Sequence, residues 1–392
     1  MSKWRSAVIN LLAISLCGYF LAPSSAATLP SSFLSLSKVS VLHNPGIILL
    51  DPKTNEVVYE SDPDVTRAPA SVLKLVSTTS ALKQFGPEKT FTTSISRTDK
   101  TNKFILVGEG DPWLTTSRID AIKYRRAYLP ALIEKAIESD PTLKAISLQY
   151  KNIYYQDIQE IQRFYKGRLK IYPHAISDTS TIEAPLAKIV SPELSSIIQF
   201  TLLWSDNLLA ARLSLMTAKA QGFAANSSGL QASFEKLFSE LSVPASGLVI
   251  KDGAGLSHET RISARTIGEL LVKIKSDASL KTIYEGLPLA GETGTLKNRF
   301  TKDAPSAVGL IKAKTGWINT TVSLAGFVNS GENDYAFAVI ADHLPNRESI
   351  RQSARIAIDK MLATIAKPTP GMPVALPSGG PSPDGIGVPT SD

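Results

Sequence analysis

The chain has 392 residues, 43% of them hydrophobic and 20% charged, with a formal net charge of +7. This is the composition of a globular chain, long enough for two domains of roughly 100–200 residues each. The basic surplus is mild and shrinks once Lys3 and Arg5 are set aside; it suits an anionic polymer such as a cell wall, and no Lys/Arg run interleaved with aromatics marks a groove for nucleic acid.

Residues 1–27 read as a secretory signal peptide, with Lys3 and Arg5 as a basic start, an apolar run from Ala7 to Leu21, and small residues at Ser25-Ala26-Ala27 for cleavage. The apolar run falls short of the roughly 20 residues that a membrane span needs. No stable transmembrane anchor is therefore expected, and the mature protein is expected to be secreted, in the periplasm or the cell-wall space. The sole cysteine, Cys17, lies inside the signal and follows Leu16, where a lipoprotein signal needs a small residue. A mature chain without cysteine has neither disulfides nor thiol catalysis.

Gly46 to Asp51 and Glu56 to Glu60 flank Pro52-Lys53-Thr54-Asn55, the pattern of a β-hairpin. A helix follows, because Pro69 suits a first helical turn, apolar residues recur at Val72, Leu75, Val76 and Leu82, and Gly86-Pro87 stops the pattern. Ser71 then lies near that helix's amino end. From 87 to 195 the texture changes to short strand-like runs, such as Lys103 to Val107, and an aromatic-rich stretch around Tyr154 to Tyr172, which reads as an inserted domain. Helical patterns return over 192–220 and 265–275, strand-like runs over 309–313, 321–328 and 335–341, and a last helix over 347–366. Residues 367–392 are rich in Pro, Gly and Ser and predict a disordered tail.

Strands near both ends with helices between and after imply an α/β (α+β) fold: one antiparallel sheet flanked by helices on both faces, plus a helical cluster and one smaller inserted domain. The expected division is a discontinuous main domain over 28–86 and 196–366, interrupted by the insertion over 87–195.

Three strings carry the chemistry: Ser71-Val72-Leu73-Lys74, Ser205-Asp206-Asn207 and Lys314-Thr315-Gly316. The Ser-x-x-Lys pattern alone is unspecific, since it also begins at Ser35, Ser80 and Ser233. Ser35 follows directly on the signal, Ser233 falls after Ser205, and Ser80 turns to the opposite helix face from Ser71. On a helix, three residues of spacing bring the Lys74 amine to the Ser71 hydroxyl, which needs a base to become a nucleophile. Burial beside a second cation, for which Lys314 is the candidate, favours the neutral amine. Ser205 is placed to relay a proton and Asn207 to hold a substrate amide, while Asp206 points away to brace the loop. Lys314 and Thr315 suit a carboxylate, and Gly316 removes the side chain where a substrate backbone could dock along a strand edge.

These strings, in this order, resemble those of the penicillin-interacting serine acyl transferases. Asp252-Gly253-Ala254-Gly255-Leu256-Ser257, Gly108-Glu109-Gly110-Asp111-Pro112 with Leu114, and Ala290-Gly291 with Gly294-Thr295-Leu296 and Arg299 are similar to accessory signatures of one family within them. That family is the D-alanyl-D-alanine carboxypeptidases/endopeptidases of the low-molecular-mass class C penicillin-binding proteins. The resemblance runs from about Gly46 to Ala366. It implies a β-lactamase/transpeptidase-like fold and a penicillin-sensitive, serine-type D-Ala-D-Ala carboxypeptidase, possibly also a DD-endopeptidase, acting on peptidoglycan stem peptides. By the resemblance Ser71 is acylated, Lys74 is the base, and Ser205 with Lys314 passes the proton to the leaving D-alanine. Asn207, Thr315, Gly316 and Trp317 are implied on the substrate side, with the backbone N–H groups of Ser71 and Trp317 as the oxyanion hole. β-Lactam antibiotics are implied as covalent inhibitors.

The chain departs from that pattern in a shorter stretch between the first two motifs, implying one subdomain fewer, in Ala254 where the family has Ser, and in His258 where it has Arg. A class A β-lactamase would also need Glu-x-x-Leu-Asn between Asn207 and Lys314, where none occurs. No Gly-x-Ser-x-Gly accompanies His43, His174, His258 or His343, against a Ser-His-Asp hydrolase. A catalytically silent peptidoglycan-binding protein is the alternative from another class. No His-x-x-x-His or Cys cluster points to a metal, and no cofactor is expected.

Overall fold

A computed structural model of the chain describes residues 29–177, 184–331 and 333–370. The signal expected over 1–27, and the tail beyond residue 370, lie outside the described residues. The first residues of the tail are tied down: Asn329 O accepts from Lys367 N at 2.9 Å, and Lys367 O accepts from Gly331 N at 2.9 Å.

The hairpin consists of β1 (Gly46–Leu50) and β2 (Val57–Ser61), paired antiparallel about a turn in which Asn55 takes a φ of 62°, a left-handed conformation that Asn tolerates better than most residues. Ala70–Leu73 then forms a tight 3-10 turn that runs straight into α1 (Lys74–Phe85), which ends at Gly86. The helix expected from Pro69 onward thus opens with a narrower turn carrying Ser71.

A second sheet follows, from β3 (Thr92–Arg97), β4 (Lys103–Gly108), α2 (Leu129–Ile137), β5 (Ala145–Lys151), α3 (Tyr155–Phe164), β6 (Lys170–Ala175) and β7 (Ala187–Val190). Its order is β7-β3-β4-β5-β6, with β4, β5 and β6 parallel. Parallel neighbours need a long crossover, and α2 and α3 supply the two required here. It has its own core, including Phe104, Leu106, Leu132, Ile133, Ile146, Leu148, Ile158 and Tyr165.

The helical pattern over 192–220 is two helices, α4 (Leu194–Trp204) and α5 (Asn207–Ala220), because Ser205 turns left-handed at φ 58°. Next come α6 (Ser227–Glu240), which the sequence reading had not singled out, and α7 (Ala264–Ser276). The chain closes with β8 (Ile311–Ile318), β9 (Thr321–Ser330), β10 (Asn333–Ala341) and α8 (Glu348–Ala363).

The main sheet is antiparallel throughout, in the order β8-β9-β10-β1-β2, so the hairpin near the start pairs with a strand from near the end. Successive side chains of a strand point to opposite faces. Ile48, Leu50, Ala338 and Ile340 meet the α1 and α4–α7 cluster, whereas Ile47, Leu49, Phe337 and Val339 meet α8 residues such as Ile358 and Met361. Helices therefore cover both faces, as each apolar sheet face requires.

The strand expected over 309–313 runs on to Ile318, which corrects the placing of Lys314-Thr315-Gly316 at its end. In register with Ala325, Leu324 and Ser323 of β9, they lie inside the strand. β8 is an edge strand, and Leu289 and Ala290 bridge only its beginning.

Candidate active site

Ser71 sits in the 3-10 turn immediately after Ala70, whose φ of 50° is unusual for a residue with a side chain. The next turn places Lys74 Nζ 2.8 Å from Ser71 Oγ. Lys74 is wholly buried, and its Nζ also donates to Asn207 Oδ1 at 2.7 Å and to the Ala254 carbonyl at 2.8 Å. Burial pushes its pKa down to about 8, against the opposing pull of the Asp252 and Asp206 carboxylates.

Ser205, the left-handed residue between α4 and α5, brings its Oγ 2.8 Å from Lys314 Nζ. Lys314 is also wholly buried and donates to the Thr315 carbonyl at 2.9 Å. Its pKa lies well below the ordinary lysine range, through burial first and then repulsion from Lys74. The like-charge effect expected to free Lys74 of its proton thus falls on Lys314, while burial is what lowers Lys74.

Asp206 caps α5, its Oδ1 accepting from Leu209 N at 2.9 Å, and its other oxygen lies 4.0 Å from Arg126. Asn207 begins the helix with its amide oxygen on Lys74, so the residue expected to hold a substrate amide also holds the amine. Thr315 Oγ1 donates to Thr295 Oγ1 at 2.9 Å, and Trp317 is partly exposed one residue beyond Gly316. The structure thereby brings Ser71, Lys74, Ser205, Asn207, Lys314, Thr315, Gly316 and Trp317 together along the edge strand β8. The other Ser-x-x-Lys serines stand apart: Ser80 and Ser233 are buried against each other at 3.5 Å, and Ser35 bonds the Ser31 carbonyl on an exposed helix.

Gly316 has a different reason from the one expected. A Cβ there would meet Ser323 Oγ at 2.1 Å and the Pro69 carbonyl at 2.8 Å, so its bareness lets β8 lie against the turn carrying Ser71. Ser323 Oγ closes that contact by donating to the Pro69 carbonyl at 2.7 Å. Behind Ser71, Gly255 adopts φ 78°, and a Cβ there would lie 1.9 Å from the Ala70 carbonyl. Asp252 shapes that loop, its Oδ1 accepting from Ala254 N and Gly255 N and its Oδ2 from Ser257 N. His258 is exposed, with Nδ1 3.4 Å from Thr320 Oγ1.

Two functional neighbours escaped the sequence reading. Arg126 and Arg212 both donate to the Pro112 and Leu114 carbonyls at 3.0 to 3.3 Å, and Arg212 also reaches Asp157 Oδ1 at 2.5 Å. Asp111, wholly buried beside them, accepts from Trp113 N at 2.7 Å, and burial pushes its carboxyl up to about 7. The Gly108–Pro112 signature was the available signal. Its partners are single arginines in unrelated patterns, one of them five residues beyond Asn207.

The architecture is shared with solved penicillin-binding proteins. Penicillin binding protein 4 (dacB) of Haemophilus influenzae superposes with a TM-score of 0.66 at 16% identity, covering 81% of this chain and 95% of that one. A penicillin G-acylated predatory endopeptidase of Bdellovibrio bacteriovorus superposes with a TM-score of 0.58 at 16% identity, covering 85% of this chain and 96% of that one. In sequence, a D-alanyl-D-alanine carboxypeptidase of Actinomadura sp. (strain R39) is 34% identical over 164 residues, which make up 40% of this chain and 29% of that protein. The chain spans about a third of the length of the first curated relatives it matches. Residues 38–127 and 174–365 match the D-Ala-D-Ala carboxypeptidase 3 (S13) family, and the chain belongs to that family.

Proposed function

We propose that the protein is a serine-type D-Ala-D-Ala carboxypeptidase that cleaves peptidoglycan stem peptides through an acyl-enzyme on Ser71. The observation that carries this reading is the pair of buried amine–hydroxyl contacts, Lys74 to Ser71 and Lys314 to Ser205, each 2.8 Å. A serine hydroxyl becomes nucleophilic when a neutral base takes its proton, and an amine with a pKa of about 8 holds a usable neutral fraction near neutral pH.

In this mechanism Ser71 Oγ attacks the penultimate D-alanyl carbonyl as its proton passes to Lys74 Nζ. The oxyanion is met by the backbone N–H groups of Ser71 and Trp317; preorganised donors of this kind contribute about 3–4 kcal/mol each. As the peptide C–N bond breaks, Ser205 and Lys314 deliver a proton to the departing D-alanine nitrogen. Thr315 holds the terminal carboxylate from the open edge of β8. Water then attacks the ester and frees Ser71. Asn207 fixes the Lys74 amine and faces the substrate side of the groove.

β-Lactams acylate the same hydroxyl and block it. The cell-wall substrate fits an exported protein whose signal over 1–27 is removed; among the described residues, no helix is long and apolar enough to cross a membrane. Residues 87–195, which carry the second sheet, serve as an inserted domain that braces the Ser205 loop through Arg126. Fluorescent penicillin tests the reading: it should label the wild type and not Ser71→Ala. Labelling that persists in the variant would remove Ser71 from the nucleophile's role.

A further inference from the structure

Towards the start of β8, away from Trp317, a cavity of about 220 Å³ opens between the 284–289 segment, the 309–310 turn and the paired strands β8 and β9. Its walls are largely apolar: Leu289, Leu310, Phe327 and the ring of Tyr284, which stands on the short helix Lys281–Glu285. The Tyr284 and Phe327 rings meet edge to face, their centroids 5.1 Å apart. Cavities of roughly 300–1,000 Å³ seat drug-sized ligands, so this one suits a smaller guest, a single ring or a short branched chain. None of the groups assigned to acylation lines it.

The charged group without a partner is Lys312. It alternates with Ile311 and Ala313 and so points to the same face of β8 as Lys314, the face packed on the helical cluster. Lysine rarely enters such a position unless it is paired. Lys312 is half-buried, its Nζ lies 4.8 Å from the centroid of the Tyr284 ring, and among the described residues it has neither a hydrogen bond nor an ion pair. Burial lowers its pKa, Glu285 opposes that, and Lys275 lowers it further. The neighbouring charges are already matched. Lys275, 4.2 Å from the Tyr284 centroid, pairs with Asp334 at 3.1 Å, and Glu285 pairs with Lys281 at 2.9 Å. The amide of Asn329 is also spent, its Nδ2 donating to Thr369 Oγ1 at 2.9 Å and its Oδ1 accepting from Gly331 N at 3.1 Å. What the cavity offers a guest is therefore one uncommitted ammonium set against aromatic and aliphatic walls.

We propose that this cavity is a second ligand site, for a small carboxylate with an apolar body, the anion bonding Lys312 Nζ while the ring or chain lies against Tyr284, Leu310 and Phe327. A bare inorganic anion would leave those walls uncovered, a cation would meet Lys312, and a neutral apolar guest would shut the ammonium away from water without a partner, which is costly. The site is separate from the acylation centre and stands whether or not Ser71 is acylated.

Benzoate is the probe and benzamide its neutral counterpart, each titrated calorimetrically into the protein. Benzoate should bind at a single site and about tenfold or more tighter than benzamide, the margin expected of a hydrogen bond between charged groups. Lys312→Met and Lys312→Gln should each remove that preference and Lys312→Arg should keep most of it, with urea unfolding to check that the variants are folded. Thr315→Val, which alters the carboxylate contact proposed beside Ser71, should leave the benzoate affinity unchanged. Benzoate that binds no tighter than benzamide, or as tightly to Lys312→Met and Lys312→Gln as to the wild type, overturns the proposal. Affinity that disappears in Thr315→Val but survives in the Lys312 variants puts the anion in the acylation groove and overturns it as well.

Discussion

Asn207 Oδ1 accepts a hydrogen bond from Lys74 Nζ at 2.7 Å across 133 positions of sequence. The middle motif therefore holds the amine of the first in place, and its state of charge matters as much as its position. Asn207→Ala should slow acylation by about ten- to a hundredfold through loss of that orientation. Asn207→Asp sets an anion beside the amine, favours its protonated form, and should move the acylation profile to higher pH. Penicillin-labelling rates measured from pH 6 to 10 check both.

The pH dependence of the wild type follows from Lys74. With its pKa near 8, acylation should climb about tenfold per pH unit below that value and level off above it. Asp206 favours the charged amine, so Asp206→Asn should shift the midpoint downward while its side-chain oxygen still caps α5.

The same depression has a stability consequence whose sign is fixed. Between about 8 and the ordinary lysine value of 10.5 the unfolded chain binds more protons at Lys74 than the folded one, so stability rises with pH across that window. Relative to Lys74→Met, the wild type should gain about 2 kcal/mol between pH 7.5 and 10. Urea unfolding of both proteins at each pH measures the difference. Lys74→Met should also lose acylation by about a hundredfold or more.

Gly316→Ala is expected to be damaging from the inside. Its new methyl collides with Ser323 Oγ and the Pro69 carbonyl, forcing β8 away from the turn that presents Ser71, at a cost of about 1–3 kcal/mol. Labelling should collapse with it. Gly331→Ala makes the contrast: that glycine has φ 83° and, among the described residues, nothing within 4 Å of an added Cβ, so about 1 kcal/mol of backbone strain and full labelling are expected.

Arg212 and Asp157 form a buried pair 2.5 Å apart between α5 and α3. Arg212→Met alone leaves the carboxylate without its partner and should cost about 3–5 kcal/mol. Adding Asp157→Leu should recover part of that loss, the remainder reflecting the freed Pro112 and Leu114 carbonyls. Denaturation midpoints of the single and double variants separate the two contributions.

The reading from sequence succeeded where a physical pattern is local. Pro69, the apolar spacing to Leu82 and Gly86 mark α1, and the runs at 46–50, 321–328 and 335–341 are apolar enough to be central strands. It failed where the cause is a distant neighbour. α6 begins Ser-Ser-Gly and looks like a loop until Asn226 caps it and Phe234 and Phe238 enter the core. Lys314-Thr315-Gly316 stays in a strand because β9 pairs with it, and Gly316 is glycine because of Pro69 and Ser323. Arg126 and Arg212 were invisible because one buried arginine leaves no periodic trace.

The pairing of β1 with β10 also orders events during synthesis. A strand made among the first fifty residues must wait for one completed at residue 341, whereas the sheet over 92–190 finds every partner within its own stretch. The nascent chain can thus close the smaller sheet early while the acylating centre stays unassembled until β10 has emerged. Any truncation before that strand leaves β1 with an open edge and unties β8 and β9, which carry Lys314, from the hairpin that precedes Ser71.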